Sequence, residues 1–231
     1  MNIGILLAGG CGSRMKCDMP KQLIKINNKP LMCYALAAFL DCKMIDQVQI
    51  VISDDCLEKV ADDIIAMGNT EKIMGFSRAG ATRQESILNA LNDMVYRISE
   101  EDVVVIHDGA RPLASQQLFE KLITSMEGCD GVIPVLPVKD TIYRCADGIW
   151  IDEALDRSHL VAGQSPEAFL YGKYLKVNRL LEKQNRICDI CSSTEAAILA
   201  GMKIKMIEGE ENNFKITTQE DLKRFESIIA K

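Results

Sequence analysis

The stretch Asn2-Ile3-Gly4-Ile5-Leu6-Leu7-Ala8-Gly9-Gly10-Cys11-Gly12-Ser13-Arg14-Met15 decides the fold. Its first six residues read as a strand, which runs directly into a glycine-rich loop. Glycines at that point let the backbone approach a ligand closely and turn N–H groups toward phosphate oxygens. The spacing is Gly-Gly-x-Gly, which is not the G-x-G-x-x-G of a dinucleotide loop and lacks the Gly-Lys-Ser/Thr of a Walker loop. Arg14 closes the loop, and Lys21 follows in Met19-Pro20-Lys21-Gln22. A guanidinium clamps phosphate through two hydrogen bonds and an ammonium acts as a mobile point charge. Together they suit a triphosphate and the charge that builds up in phosphoryl transfer. Two solvated surface cations are the plainer reading of the same residues.

Outward from this loop, β-rich runs alternate with helical periods. Pro30 to Leu40 reads as a helix with proline in its first turn. Gln47–Ser53 reads as a strand, and Leu57, Val60, Ala61, Ile64 and Ile65 then fall on one helical face. Lys72–Gly75 is a short strand, and Thr82 with Glu85 forms a capping-box signal for a helix through Leu91. Asp102–His107 reads as a strand, Gln116–Met126 as a helix and Gly131–Val135 as a strand. Later come helices near Gly172–Lys183 and Thr194–Gly201, a strand at Lys203–Glu208, and a last helix from Thr218 to Ile229. Strands alternating with helices predict an α/β fold, with a largely parallel sheet covered on both faces. In such sheets ligands bind beyond the carboxyl ends of the strands.

The regularity breaks after Val135. Thr141–Arg144 and Ile149–Ile151 flank Asp147-Gly148, a hairpin turn signal, and Trp150, the one tryptophan, lies on this excursion. It reads either as an arm that buries itself against a second subunit or as a flap over its own domain. We find no internal repeat, low-complexity tract or linker, so the expectation is a single domain over 1–231 with an arm near 138–160.

A chain of 231 residues with 48% hydrophobic residues is long enough for one substantial core. A net charge of -6 argues against nucleic acid as the main partner. There is no apolar run long enough for a membrane span and no signal-peptide pattern. Nine cysteines, scattered through apparent core elements, read as reduced thiols and a cytoplasmic protein. Cys188 and Cys191 form one C-x-x-C, but a zinc site needs two more ligands and the histidines are only His107 and His159.

Six ordered motifs along the whole chain carry a resemblance. They are Ala8-Gly9-Gly10-x-Gly12-Ser13-Arg14-Met15 with Pro20-Lys21-Gln22, Gly80-x-x-Arg83-Gln84-x-Ser86, and His107-Asp108-Gly109-Ala110-Arg111-Pro112. Then come Pro137-Val138-Lys139-Asp140-Thr141, Asp156-Arg157-Ser158-x-Leu160 with Gln164-Ser165-Pro166, and Asn213-Phe214-Lys215-Ile216-Thr217. The set resembles the cytidylyltransferases that act on 2-C-methyl-D-erythritol 4-phosphate and on ribitol 5-phosphate. The resemblance implies a Rossmann-like sheet of the nucleotidyltransferase type and transfer of CMP from CTP to a polyol phosphate, with Mg²⁺ and release of pyrophosphate.

It also implies roles. Ala8, Gly9, Gly10 and Gly12 would hold CTP, with Arg14, Lys21 and Lys215 as the catalytic cations. Gly80, Arg83 and Ser86 would contact the cytidine. Asp108 would help place the metal, since a hard cation takes carboxylate oxygen. Arg111, Thr141, Arg157 and Ser165 would surround the second substrate, some of them supplied across a homodimer by the arm. Neither nucleic acid nor a membrane is implied.

Some positions depart from the family. Leu7-Ala8-Gly9-Gly10 and Gly163-Gln164 lean toward the ribitol branch, whereas Ala110-Arg111 and Asp156-Arg157-Ser158 lean toward methylerythritol. Glu167 stands where glutamine is usual. Ser192 replaces a usual aspartate, although Ser192 with Glu195 still makes a capping box. Methylerythritol phosphate is the expected acceptor and ribitol phosphate, or another polyol phosphate, the alternative. A different nucleotide donor, or a non-catalytic nucleotide-binding descendant, is the further alternative.

Overall fold

The computed structural model describes residues 1–10 and 19–230. The expectations placed on Gly12 and Arg14 therefore lie outside the described residues. In chain order the elements are β1 (Asn2–Leu7), β2 (Lys25–Ile26), β3 (Lys29–Pro30), α1 (Leu31–Asp41), β4 (Gln47–Val51), α2 (Asp54–Ala66) and β5 (Ile73–Ser77). There follow α3 (Arg83–Asp93), β6 (Val103–Asp108), α4 (Gln116–Thr124), β7 (Gly131–Pro137), β8 (Ile142–Arg144) and β9 (Glu153–Leu155). The last are β10 (Val161–Gly163), β11 (Glu167–Leu170), α5 (Tyr171–Lys183), α6 (Ser193–Leu199), β12 (Ile204–Glu208) and α7 (Gln219–Ile229).

The main sheet runs β7-β11-β6-β1-β4-β5, with β12 parallel to β7 and β10 pairing antiparallel with the far end of β7. Only β10 and β11 run against the common direction. β1 is paired with β4 on one side and with β6 on the other, both parallel. The chain order reverses there, so a crevice opens beyond Leu7 and Asp108, which are paired at the strand ends.

Alternation along β1 and β6 builds both layers of the core. Leu6 and Val105 face α1, α2 and α4, packing with Leu36, Phe39, Val60, Phe119 and Leu122. Ile3, Ile5, Val104 and Ile106 face the opposite side and pack with Ile87, Leu91, Tyr174 and Leu175 of α3 and α5. Gly4 is needed in β1 because a Cβ there would stand 2.8 Å from the Phe39 ring. A third cluster seats α7, with Leu222 and Phe225 packed against Ile26, Leu31 and Ile216.

The helix starts follow the sequence signals. Thr82 and Glu85 make the full reciprocal capping box at α3. Ser192 behaves differently from expectation. It accepts from the Glu195 N–H, but the Glu195 carboxylate reaches back to the N–H of Cys191 instead of that of Ser192, so the box is only half formed.

The arm also needs a correction. The second hairpin strand is Glu153–Leu155 and not Ile149–Ile151; Ile142 pairs with Leu155 and Arg144 with Glu153. Asp147 accepts from the N–H groups of Ile149 and Trp150, and Asp152 accepts from that of Ala146. These bonds curl the tip into a wide loop in place of a two-residue turn. β8 and β9 pair only with each other, outside the main sheet, and Trp150 at the tip is 73% exposed. No helix among the described residues is long and apolar enough to cross a membrane.

Candidate active site

The crevice is a cavity of about 290 Å³ lined by the ends of β1 and β6, the start of α3, and the segment before α7. Ala8, Gly9, Gly10, Lys21, Gly80, Arg83, Ser86, Asp108 and Lys215 are brought together in its wall. Gln22, Thr82, Gly109, Ala110 and Thr217 line it as well. Of these, Gln22, Gly109, Ala110 and Thr217 lay inside motifs already singled out, and Thr82 was marked as the cap of α3.

Two loops meet at close range across the cavity. A Cβ on Gly9 would stand 2.3 Å from the Ala79 Cβ, and one on Gly80 would stand 2.4 Å from the Glu85 Cβ. A Cβ on Gly10 would meet nothing within 4 Å among the described residues. The Gly80 N–H donates to Ser86 Oγ at 2.9 Å, and that hydroxyl donates in turn to the Thr82 carbonyl. Ser86 therefore fixes the loop over the N-terminus of α3, where the helix partial charge and free N–H groups favour an anion. Gln84 points away from the cavity, its amide bonded to the Tyr174 hydroxyl and Asn178.

Four charged groups form a chain that runs from the cavity wall into the protein behind it. Lys215 Nζ lies 2.7 Å from Asp108 Oδ2 and Arg83 Nε 3.0 Å from Asp108 Oδ1. Arg83 Nη2 then reaches Glu167 at 3.2 Å, and its Nη1 bonds Ser193 Oγ. Burial alone would raise the Asp108 pKa, but the Arg83 and Lys215 charges override it and hold the carboxyl well below the usual range. Burial opposes the Arg83 charge, and the two carboxylates more than restore it.

Lys215 is positioned by its neighbours. The Ile216 N–H donates to the Ala110 carbonyl at 2.8 Å, and the Ile216 side chain is fully buried. Asp221 accepts from both the N–H and the hydroxyl of Thr217, which pins the same segment to the start of α7. Lys21 Nζ donates to the Ile216 carbonyl at 3.0 Å, so the two lysines stand on adjoining backbone.

His107 and Ser165 carry a second, buried relay. His107 Nε2 is 3.0 Å from the Arg111 carbonyl, which can only accept, so Nε2 carries the proton. Its Nδ1 then accepts from Ser165 Oγ at 3.2 Å, and Ser165 Oγ accepts from the Asp108 N–H at 3.1 Å. Burial pushes the His107 pKa down to about 4, so the ring is neutral near neutrality.

The four residues expected at the second substrate are not gathered in the cavity wall. Ser165 is buried with its hydroxyl engaged on Asp108 and His107. Arg111 donates through Nη1 to the Asn213 carbonyl at 2.6 Å. Thr141 and Arg157 are exposed on and beside the arm, with Arg157 Nη1 bonded to the Lys139 carbonyl at 2.7 Å.

A family model described as IspD, 2-C-methyl-D-erythritol 4-phosphate cytidylyltransferase, matches residues 3–231. A 2-C-methyl-D-erythritol 4-phosphate cytidylyltransferase of Clostridium novyi is 32% identical over 228 residues, covering 99% of this chain and 96% of the relative. One from Microcystis aeruginosa is 34% identical, covering 98% and 97%. The crystal structure of the Francisella tularensis 2-C-methyl-D-erythritol 4-phosphate cytidylyltransferase matches with a TM-score of 0.80 at 26% identity, covering 97% of each chain.

Proposed function

Since the chain belongs to the 2-C-methyl-D-erythritol 4-phosphate cytidylyltransferase family, we propose that its crevice transfers CMP from CTP to 2-C-methyl-D-erythritol 4-phosphate, releasing pyrophosphate. The observation that carries this reading is the pairing of Lys215 and Arg83 with one ionised carboxylate, in a wall shared with Lys21, at the switch point of the sheet.

The triphosphate lies along Gly9 and Gly10, where bare backbone leaves room for it. Gly80 and Ser86 shape the wall that receives the cytidine. A phosphate oxygen of the acceptor attacks the α-phosphorus of CTP in line. The bond from that phosphorus to the α,β-bridging oxygen breaks, and pyrophosphate leaves with the electron pair. The attacking group is already an anion, so neither a protein nucleophile nor a strong general base is required. Lys21 and Lys215 neutralise the charge that grows on the α-phosphate and the leaving group. Orientation of the two substrates supplies much of the remaining rate.

Asp108 fits a divalent cation. It is the one carboxylate among the described residues of the wall, and its carboxyl stays ionised. Mg²⁺ is commonly held by one or two carboxylates together with substrate phosphates. When bound, Mg²⁺ would withdraw charge from the phosphates and align them.

The acceptor enters from the side of the exposed arm. Its phosphate and hydroxyls are met by Arg157 and Thr141, brought over the crevice by a second copy of the chain. The exposed Ile149, Trp150 and Ile151 at the arm tip supply apolar surface for such a dimer. Pyrophosphate release on mixing the protein with Mg²⁺, CTP and the acceptor tests the proposal.

A further inference from the structure

Glu167 is buried behind the crevice wall, 5% exposed, and its Oε2 meets Arg83 both directly and through Ser193. Its Oε2 accepts from Arg83 Nη2 at 3.2 Å and from Ser193 Oγ at 2.6 Å. Its Oε1 accepts from Thr194 Oγ1 at 2.7 Å. Ser193 Oγ also receives Arg83 Nη1, and Arg83 Nε is held by Asp108. All three guanidinium nitrogens are thus committed to the protein, although Arg83 stands at the wall of a crevice built for phosphate.

The charges alternate from Glu167 through Arg83 and Asp108 to Lys215, and they cancel. Without the Glu167 charge, one positive charge is left over and Asp108 alone answers two cations. A fork of N–H donors on Arg83 would then be available to the nearest polyanion. We propose that Glu167 is a positioning residue that holds Arg83 back from the triphosphate. By doing so it leaves Asp108 facing the crevice and keeps CTP from settling too tightly in its ground state. Tighter binding of substrate without tighter binding of the transition state lowers kcat and KM together.

The inference rests on the crevice being the CTP site. Parent protein that binds no CTP would remove that reading itself; the tests below compare variants with a parent that does bind. The probe is CTP, titrated calorimetrically without metal and then used in steady-state turnover. Glu167→Gln keeps the shape of the side chain and removes its charge. Its metal-free affinity for CTP is expected to rise about tenfold, equal to roughly 1.4 kcal/mol, with kcat and KM for CTP falling together. Glu167→Asp restores the charge and is expected to return affinity toward the parent. Thr194→Val strips a hydroxyl from Glu167 but leaves the charge; it is expected to lower thermal stability with CTP affinity unchanged. If Glu167→Gln does not fold, Ser193→Ala serves instead. It frees Arg83 Nη1 and takes one donor from Glu167 while keeping the carboxylate charge, and is expected to tighten CTP by about threefold, a fraction of one charge-assisted bond. Weaker or unchanged CTP binding in whichever of these two is measured overturns the proposal. So does equal tightening in Thr194→Val, which would assign the effect to packing at α6.

Discussion

Lys215 and Asp108 lie 107 residues apart in sequence, and their side chains meet at 2.7 Å. The contact joins the segment before α7 to the end of β6, and it places a mobile cation beside a fixed, ionised carboxylate. In the proposed reaction that lysine swings to the α-phosphate while Asp108 remains held by Arg83.

Lys215→Ala therefore separates chemistry from folding. Lys215 keeps about a third of its side chain exposed, and Asp108 retains Arg83 as partner. Turnover is expected to fall about 10²–10³-fold, the loss seen when one transition-state charge partner is removed. The thermal midpoint should stay within a few degrees of the parent, and a parallel loss of folded protein would contradict the assignment.

Gly9 and Gly10 are neighbours with different duties. Gly9→Ala forces a methyl group into Ala79 and is expected to destabilise the fold by about 1–3 kcal/mol as well as abolish turnover. Gly10→Ala meets nothing among the described residues, so stability should hold while CTP binding weakens. Denaturant melts alongside CTP titrations check both, and equal stability losses would contradict the distinction.

His107 predicts a pH signature. Its folded pKa is lowered from 6.5 to about 4, so the unfolded chain takes up its proton first as pH falls. Stability from this group is complete above pH 6.5, declines as pH drops toward 4, and flattens below. The size is on the order of 3 kcal/mol. His107→Gln should lose this slope, measured as the difference between denaturant melts of parent and variant across that range. An unchanged slope would mean that the ring is not titrating as a buried, neutral group.

Trp150 tests the arm. Trp150→Ala removes the largest apolar side chain from a tip where Trp150 is 73% exposed, so the folded monomer should keep its stability. Sedimentation should show weaker self-association, and a parent that is monomeric at micromolar concentration would remove the arm's proposed role.

Much of this was legible in the sequence because its signals are local. β1 and β6 carry apolar runs, Ile5-Leu6-Leu7 and Val103-Val104-Val105-Ile106, and the Thr82–Glu85 box states where α3 begins. The arm tip misled because Asp147-Gly148 is a strong turn dipeptide, whereas Asp147 and Asp152 use their carboxylates to open the loop. Ser192 misled for a related reason: the spacing of a capping box does not say which N–H its glutamate will reach. Lys21, Asp108 and Lys215 each stood out by motif, but their meeting depends on strand order. Ser165 illustrates the opposite limit. Its hydroxyl suits a substrate, and only the folded geometry shows it bridging His107 and Asp108.

The central claim is transfer of CMP by this crevice to a methylerythritol phosphate. Pyrophosphate release should be measured with Mg²⁺ and CTP, comparing 2-C-methyl-D-erythritol 4-phosphate with ribitol 5-phosphate. The account predicts turnover with the first and little with the second. Turnover with ribitol 5-phosphate alone, or none with either acceptor while CTP binds, would contradict it.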